Sequence, residues 1–434
     1  MNYIIFGNIK QVFMGISPRL KKIIIVIIFL GLIVLFGYLL WKLFFQNNIS
    51  VPGEQTTSTS TTSGLPAAEL GSGNISNITG SGNLPGEETP SSGGMPVGNP
   101  NPEATAPSQT AIGGLTSISP LISAQVLNPT VSADGSVRYY NKDDGRFYRL
   151  DENGKTVKMS DKVFHEADSV TWAPSGDKAI ITYPDNSKIM YNFNTDKQVT
   201  LPSYWENFSF SNDSEQIVAK SIGLDVENNW LIVAGSDGTK ATALEDIGAN
   251  ANTVYPSWSP NNQIVAMYTK GVDFNRQEIY FVGLNGENFK STMIEGRGLQ
   301  TQWSTEGNTL LYSVYSTVDE MKPRLWIVDA NTDSIGENRR SFNLQTWANK
   351  CTYATNTEIY CAVPEELQAG SGMFPELADK TKDNLYKIDL ETGTQKLIAI
   401  PDGAYNVSQI LVPENQKTLY FTDKSTQLIY KVDL

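Results

Sequence analysis

The sequence predicts an all-β fold, a seven-bladed β-propeller, carried behind a single transmembrane helix and a disordered linker. Three observations predict it. From residue 115 onward one short pattern recurs seven times: a residue that is usually aromatic, a polar turn, then an apolar strand. The 320 residues from Leu115 to Leu434 divide into seven units of about 46, the length of a four-stranded blade. Ahead of the repeats, Ile23 to Trp41 form a run of nineteen uncharged residues. Length alone leaves rings of six or eight blades open.

Residues 1–22 carry Lys10, Arg19, Lys21 and Lys22 and no acid, which suits a short cytoplasmic segment. As a helix, the run that follows would span about 28 Å, close to the hydrocarbon core of a bilayer. A cleaved signal peptide would end a shorter apolar stretch in small residues. This one ends in Tyr38, Leu39, Leu40, Trp41, Leu43, Phe44 and Phe45, so residues 23–45 are expected to be an uncleaved signal anchor. With the basic cluster ahead of it, the positive-inside rule keeps the N-terminus in the cytoplasm and sends the remainder outward. The expectation is a single-pass cell-membrane protein that meets the lipid bilayer through Ile23–Trp41.

Residues 46–114 turn abruptly to Ser, Thr, Gly, Pro and Asn, with no aromatic residue, no Lys or Arg, and five Glu. Such a stretch buries too little apolar surface to offset its ordering entropy, so a disordered tether is expected, with an end-to-end distance on the order of 45 Å. Asn74-Ile75-Ser76 and Asn77-Ile78-Thr79 are formal glycosylation acceptors, meaningful only in a glycosylating host.

Residues 115–434 hold the repeats. The units open at Val131 (VSADGSVRYY), Trp172 (WAPSGDKAIIT), Phe210 (FSNDSEQIVAK), Trp258 (WSPNNQIVAMY), Trp303 (WSTEGNTLLYS), Tyr353 (YATNTEIYCAV) and Leu411 (LVPENQKTLYF). Each continues into a second alternating strand and a polar turn, as in KIMYNFNTD and NLYKIDLETG. Trp172, Phe210, Trp258, Trp303, Tyr353 and Leu411 are read as structural residues that fill the wedge between neighbouring blades. The last unit stops at its third strand, so closure needs a strand from elsewhere. Leu115–Ser119 is the natural donor.

The pattern W-S-P-x-[GN]…I-x-[YF]…I-Y-x-x-D resembles the TolB-like, WD40-like (PD40-type) propeller repeat over about three quarters of the chain. The resemblance implies the fold and a location in the bacterial envelope. It implies little about function, because such propellers serve as scaffolds, receptors and accessory domains of peptidases. The anchor and tether depart from periplasmic TolB, so that protein's partners do not carry over.

Composition narrows the chemistry. A formal charge of −13 argues against a nucleic-acid surface. With one histidine, His165, and two cysteines, Cys351 and Cys361, neither multi-histidine metal sites nor a Ser-His-Asp mechanism with a G-x-S-x-G turn finds its residues. No cofactor or metal site is expected. Asp329-Ala330-Asn331-Thr332-Asp333 matches the start of an EF-hand loop but has Ser334 and Arg340 where the motif needs Gly and Glu. If Thr355-Asn356-Thr357 forms a hairpin loop, Cys351 and Cys361 lie opposite each other and can form a disulfide in an oxidising compartment. The other alignment, with Cys351 at the aromatic position, would point the sulfurs to different sides. The longest insert, Pro364–Lys382, is a candidate binding loop, and Ser316–Pro323 is another, with plain loop elongation the alternative for each. The expected function is a non-catalytic, membrane-tethered scaffold for a protein or envelope polymer. The alternative is a carboxylate-based glycan lyase or hydrolase, or a small-ligand sensor, in the central channel.

Overall fold

The structure is a computed structural model that describes residues 29–32, 34–36, 105–151, 154–287, 289–413 and 416–434. Residues 29–32 and 34–36 are helical, and among the described residues no helix is long and apolar enough to cross a membrane. The rest of Ile23–Trp41 and the segment 46–104 lie outside the described residues.

The repeats form seven four-stranded antiparallel sheets. Blades 1 to 3 begin at strands Val126–Val131, Ser169–Trp172 and Trp205–Phe210. Blades 4 to 6 begin at Val254–Pro256, Arg297–Trp303 and Cys351–Tyr353, and blade 7 begins at Val407–Leu411. These first strands approach one another around the axis. Within each of blades 1 to 6 the four strands follow in chain order from the inside outward.

Blade 7 supplies only Val407–Leu411, Thr418–Asp423 and Ile429–Asp433, and Ser119–Pro120 completes it, with Ser119 opposite Lys431 and Pro120 opposite Tyr430. The N-terminal segment therefore closes the ring, and of the expected donor Leu115–Ser119 only Ser119 takes part, joined by Pro120. Thr116 is occupied elsewhere, bridging Pro401 on blade 6, and Ile118 packs into the apolar layer between blades 6 and 7. Upstream, the Ser108 N–H donates to Leu397 O (3.0 Å) and its hydroxyl to Ile398 O (2.8 Å), along the outer strand of blade 6.

The core consists of seven apolar clusters, one at each junction between consecutive blades, including blade 7 with blade 1. The alternating strands point one side chain at each neighbour, so every blade is buried on both faces. The aromatic residues that open the repeats serve this layer. Trp172, Phe210, Trp258, Trp303 and Tyr353 each pack against the preceding blade. Leu411 does not. It pairs with Tyr420 and faces blade 1, while Val412 faces blade 6. In three other units the wedge residue is paired with the residue seven further on, Trp172–Ala179, Phe210–Ile217 and Trp303–Leu310, and in the sixth, with its shorter turn, Tyr353 pairs with Ile359 six further on. By that register Val412, seven before Leu419, is the equivalent. The proline of the last unit had shifted the alignment by one, and a one-residue shift exchanges the two faces.

Candidate functional site

Antiparallel order gives the ring two unlike faces. The hairpins between first and second strands, and between third and fourth, lie on one face. The connections between second and third strands, and those between blades, lie on the other.

On the first face the repeat turns are used to hold blades together. Around Trp258, the Ser259 hydroxyl donates to Asn261 Oδ1 (2.6 Å) and accepts from the Ile264 N–H (2.9 Å), which folds the turn. Successive turns then bind each other. Ala133 N–H donates to Pro174 O (3.0 Å), Ser175 N–H to Ser214 Oγ (3.0 Å), and Asn212 N–H to Asn262 Oδ1 (3.3 Å). Asn261 Nδ2 donates to Gly307 O (2.9 Å) and Glu306 N–H to Asn356 Oδ1 (3.4 Å). The indoles join in, Trp303 Nε1 donating to Ser257 Oγ (2.9 Å) and Trp172 Nε1 to Asn128 O (2.8 Å). The channel opens on this face as a cavity of about 610 Å³ whose one acid is Glu306, amid Thr130, Gln302, Thr305, Thr352 and Gln409.

At the opposite mouth a buried polar network joins blades 6 and 7. Lys350 Nζ donates to Asp383 Oδ2 (2.9 Å) and Oδ1 (3.1 Å) and to Asn406 Oδ1 (3.0 Å), and lies over the Trp347 ring. Asp383 also accepts from the Val407 N–H (2.6 Å), and Asp423 from the Asn406 N–H (2.9 Å). Burial pushes the Asp383 carboxyl up, against the pull of Lys350, and pushes the Lys350 ammonium down, against that of Asp383. A cavity of about 150 Å³ adjoins them, where Gln300 Oε1 is buried without a partner and Lys424 pairs with Asp379. Three carboxylates, Asp379, Asp383 and Asp423, and two lysines thus converge at the mouth, each engaged by a partner. Lys350 and Trp347 are themselves buried.

The same face carries the inserts. Loops 222–229, 272–275, 316–322 and 365–382 join the second and third strands of blades 3, 4, 5 and 6. The last three form a connected rim. Thr317 N–H donates to Asn275 Oδ1 (2.9 Å), Gly370 N–H to Glu320 O (2.8 Å), and Gly372 N–H to Met321 O (2.7 Å). Glu320 and Met321 hold φ of 54° and 58°, left-handed values that non-glycine residues seldom adopt. Asn406 Nδ2 donates to Ala378 O (2.7 Å), which ties the far end of the long insert to the buried network. Each loop presents apolar side chains to solvent: Leu224 (fully exposed) and Val226 (58% exposed), Val272 and Phe274 (59%), Val318 (85%), and Met373, Phe374 and Leu377.

Cys351 and Cys361 stand opposite each other in register and are joined by a disulfide, with S–S 2.12 Å and both residues buried between blades 5 and 6. His165 is exposed in a turn. Asp329 closes a strand and accepts from Asn338 Nδ2 (2.8 Å). Among the described residues no three His, Cys, Asp or Glu lie together as metal ligands. Sequence reasoning singled out two of the four rim loops by their length. It missed loops 222–229 and 272–275, whose signal is an isolated apolar residue between turn-forming polar ones.

No protein-family model and no curated protein matches the sequence. Among solved structures, the β-propeller domain of Cps50 (Swd1) from Myceliophteria thermophila superposes with a TM-score of 0.50 at 12% identity, covering 73% of this chain and 99% of that one. An oligogalacturonate lyase in complex with manganese gives 0.48 at 13% identity, covering 73% and 93%. An oligogalacturonate lyase from Vibrio parahaemolyticus gives 0.47 at 10% identity, covering 73% and 92%. At 12% identity the first of these likenesses shows the propeller fold alone, and none of the three carries anything about activity.

Proposed function

We propose that this chain is a TolB-like, WD40-like propeller held outside the cytoplasm by a signal anchor and a flexible tether, and that it acts by binding a protein or an envelope polymer. The observation that carries this reading is the run of exposed apolar tips on four consecutive loops of one face. Solitary exposed apolar residues are ordinary, but apolar tips repeated on four loops of one face, three of them bonded to one another, are how binding faces are built. The opposite face has its turns committed to one another. The anchor and tether suit such a role, leaving the propeller free to search a volume set by the linker.

Cells carrying the full chain with a photoreactive residue in place of Val318 should yield a discrete crosslinked product on illumination. The same residue in place of Thr392, on the opposite face, should not. Products of equal yield at both positions, or none at Val318, would overturn the reading.

A second reading, a carboxylate-based glycan lyase or hydrolase, draws on the convergence of Asp379, Asp383, Lys350 and Lys424 at the channel mouth. It requires the ion pairs there to open for substrate. Turnover of an acidic polysaccharide that is lost in both Asp379→Asn and Asp383→Asn, with the fold intact by circular dichroism, would favour it over the binding role.

A further inference from the structure

Beyond the apolar tips, the rim has a charge. Loops 222–229, 272–275, 316–322 and 365–382 together hold nine Asp or Glu against three Lys and no Arg. The acids alternate with the apolar tips: Leu224-Asp225-Val226-Glu227, Val272-Asp273-Phe274, Val318-Asp319-Glu320 and Phe374-Pro375-Glu376-Leu377. Some are engaged within their own blade, Asp273 with Arg276, Asp319 with Arg324, Glu320 with Lys322 and Glu365 with Lys382. Asp225, Glu227, Glu366 and Glu376 make no ion pair among the described residues.

Resting on the binding role proposed above, we infer that this rim docks a basic amphipathic segment of a partner protein. The apolar tips would take that segment's apolar stripe, and the carboxylates beside them its Lys and Arg. A surface whose central loops 272–275 and 316–322 carry apolar tips, flanked on loops 222–229 and 365–382 by apolar tips beside acids without an ion pair, is complementary to a helix or strand bearing an apolar stripe and Lys or Arg. It is a poor match to an anionic bilayer, which would face those carboxylates with like charge. It is an equally poor match to the rim of a second copy. The bonded junctions at Asn275, Glu320 and Met321 fix three of the loops relative to one another, so little ordering entropy remains to be lost on docking.

The test uses the full chain in nanodiscs of zwitterionic lipid. The probes are an 18-residue amphipathic Leu/Lys peptide carrying a photoreactive group, its Leu/Glu counterpart, and separate vesicles of anionic lipid. The Leu/Lys peptide should bind, weaken with added salt, and crosslink to loops 222–229, 272–275, 316–322 or 365–382. The triple variant Phe274→Ser, Val318→Ser, Phe374→Ser should weaken binding ~10-fold or more, as loss of interface anchors does. The variant Asp225→Asn, Glu227→Gln, Glu366→Gln, Glu376→Gln should flatten the salt dependence while the melting temperature holds. Equal binding of the Leu/Glu peptide, or crosslinks confined to the hairpin face, would overturn the inference. So would capture of anionic vesicles, or self-association, that the triple variant abolishes. A Val318 crosslink in cells to a partner segment lacking basic residues would overturn the basic-segment inference yet leave the binding role standing. Absence of both that crosslink and peptide binding would remove the two together.

Discussion

Lys350 and Asp383 show how a residue pair can matter without being legible in the chain. They lie 33 residues apart, Lys350 just ahead of the first strand of blade 6 and Asp383 opening its third, and only the folding of that blade brings them together. Removing one partner from a buried pair leaves the other charge unneutralised, which costs about 3–5 kcal/mol. Asp383→Ala should therefore lower the unfolding free energy by that amount in denaturant titration. Lys350→Met combined with Asp383→Leu should recover most of it. The disulfide was legible, because hairpin spacing alone can set two cysteines opposite each other. In the denatured, unreduced protein, thiol titration should find no free thiol, and replacing both cysteines by Ala should cost roughly 2–3 kcal/mol. Leu411 was not legible, because in the last unit the proline that marks the turn follows the wedge residue Val412 directly, one place earlier than in WAP or WSP. Wedge identity follows pairing rather than the turn motif.

Among the turns, Asp185, Asp213 and Asp237 are each held below the ordinary carboxylate value of 3.8, first by a hydroxyl (Ser187, Ser211, Thr239) and then by a backbone N–H. A carboxylate depressed in the folded state contributes its full stability above the unfolded value and loses it as pH falls through the folded one. Thermal melts should therefore hold steady above pH 5 and decline as the pH drops below about 3.8. Thr239→Val should make that decline shallower, because Asp237 then has less to lose. An unchanged acid slope in Thr239→Val would remove the hydroxyl as its source.

At the scale of the element, the closing strand and the rim loops teach different lessons. An incomplete last unit announced that the N-terminal segment must complete the ring, since an edge strand needs a partner. Which residues do so depends on where the upstream chain is held, since Thr116 bridges Pro401 and Ile118 packs between blades 6 and 7. Deleting 115–121 from the full chain should lower the melting temperature by roughly ten degrees, the scale of several kcal/mol in a domain this size. An unchanged melt would show that the strand is dispensable. For the loops, a Cβ at Gly372 would stand 2.5 Å from Tyr315 Cβ and 2.7 Å from Met321 O. Gly372→Ala should break the junction between 316–322 and 365–382, read as faster amide exchange at Gly370 and Gly372 with little change in the global melt.

For the molecule as a whole, the repeat made the architecture readable, because seven copies of one pattern constrain a ring more tightly than any single strand constrains a sheet. The candidate site was legible only in part, since channel and rim gather residues from several blades and no local spacing marks them. The proposed arrangement also predicts accessibility. Protease added to intact cells stripped of their outer layers should release a folded fragment beginning within 46–104, while full resistance would place the propeller inside.

The closing segment carries a mechanical consequence. Any pull on the residues before 105 reaches the Ser108 contacts on blade 6 before it reaches Ser119–Pro120 on blade 7. Those outer contacts can peel and re-form while the ring stays shut. Tension is thus spent on a strain relief at the rim of one blade, and the ring of blades keeps its shape under a pull from the N-terminal side.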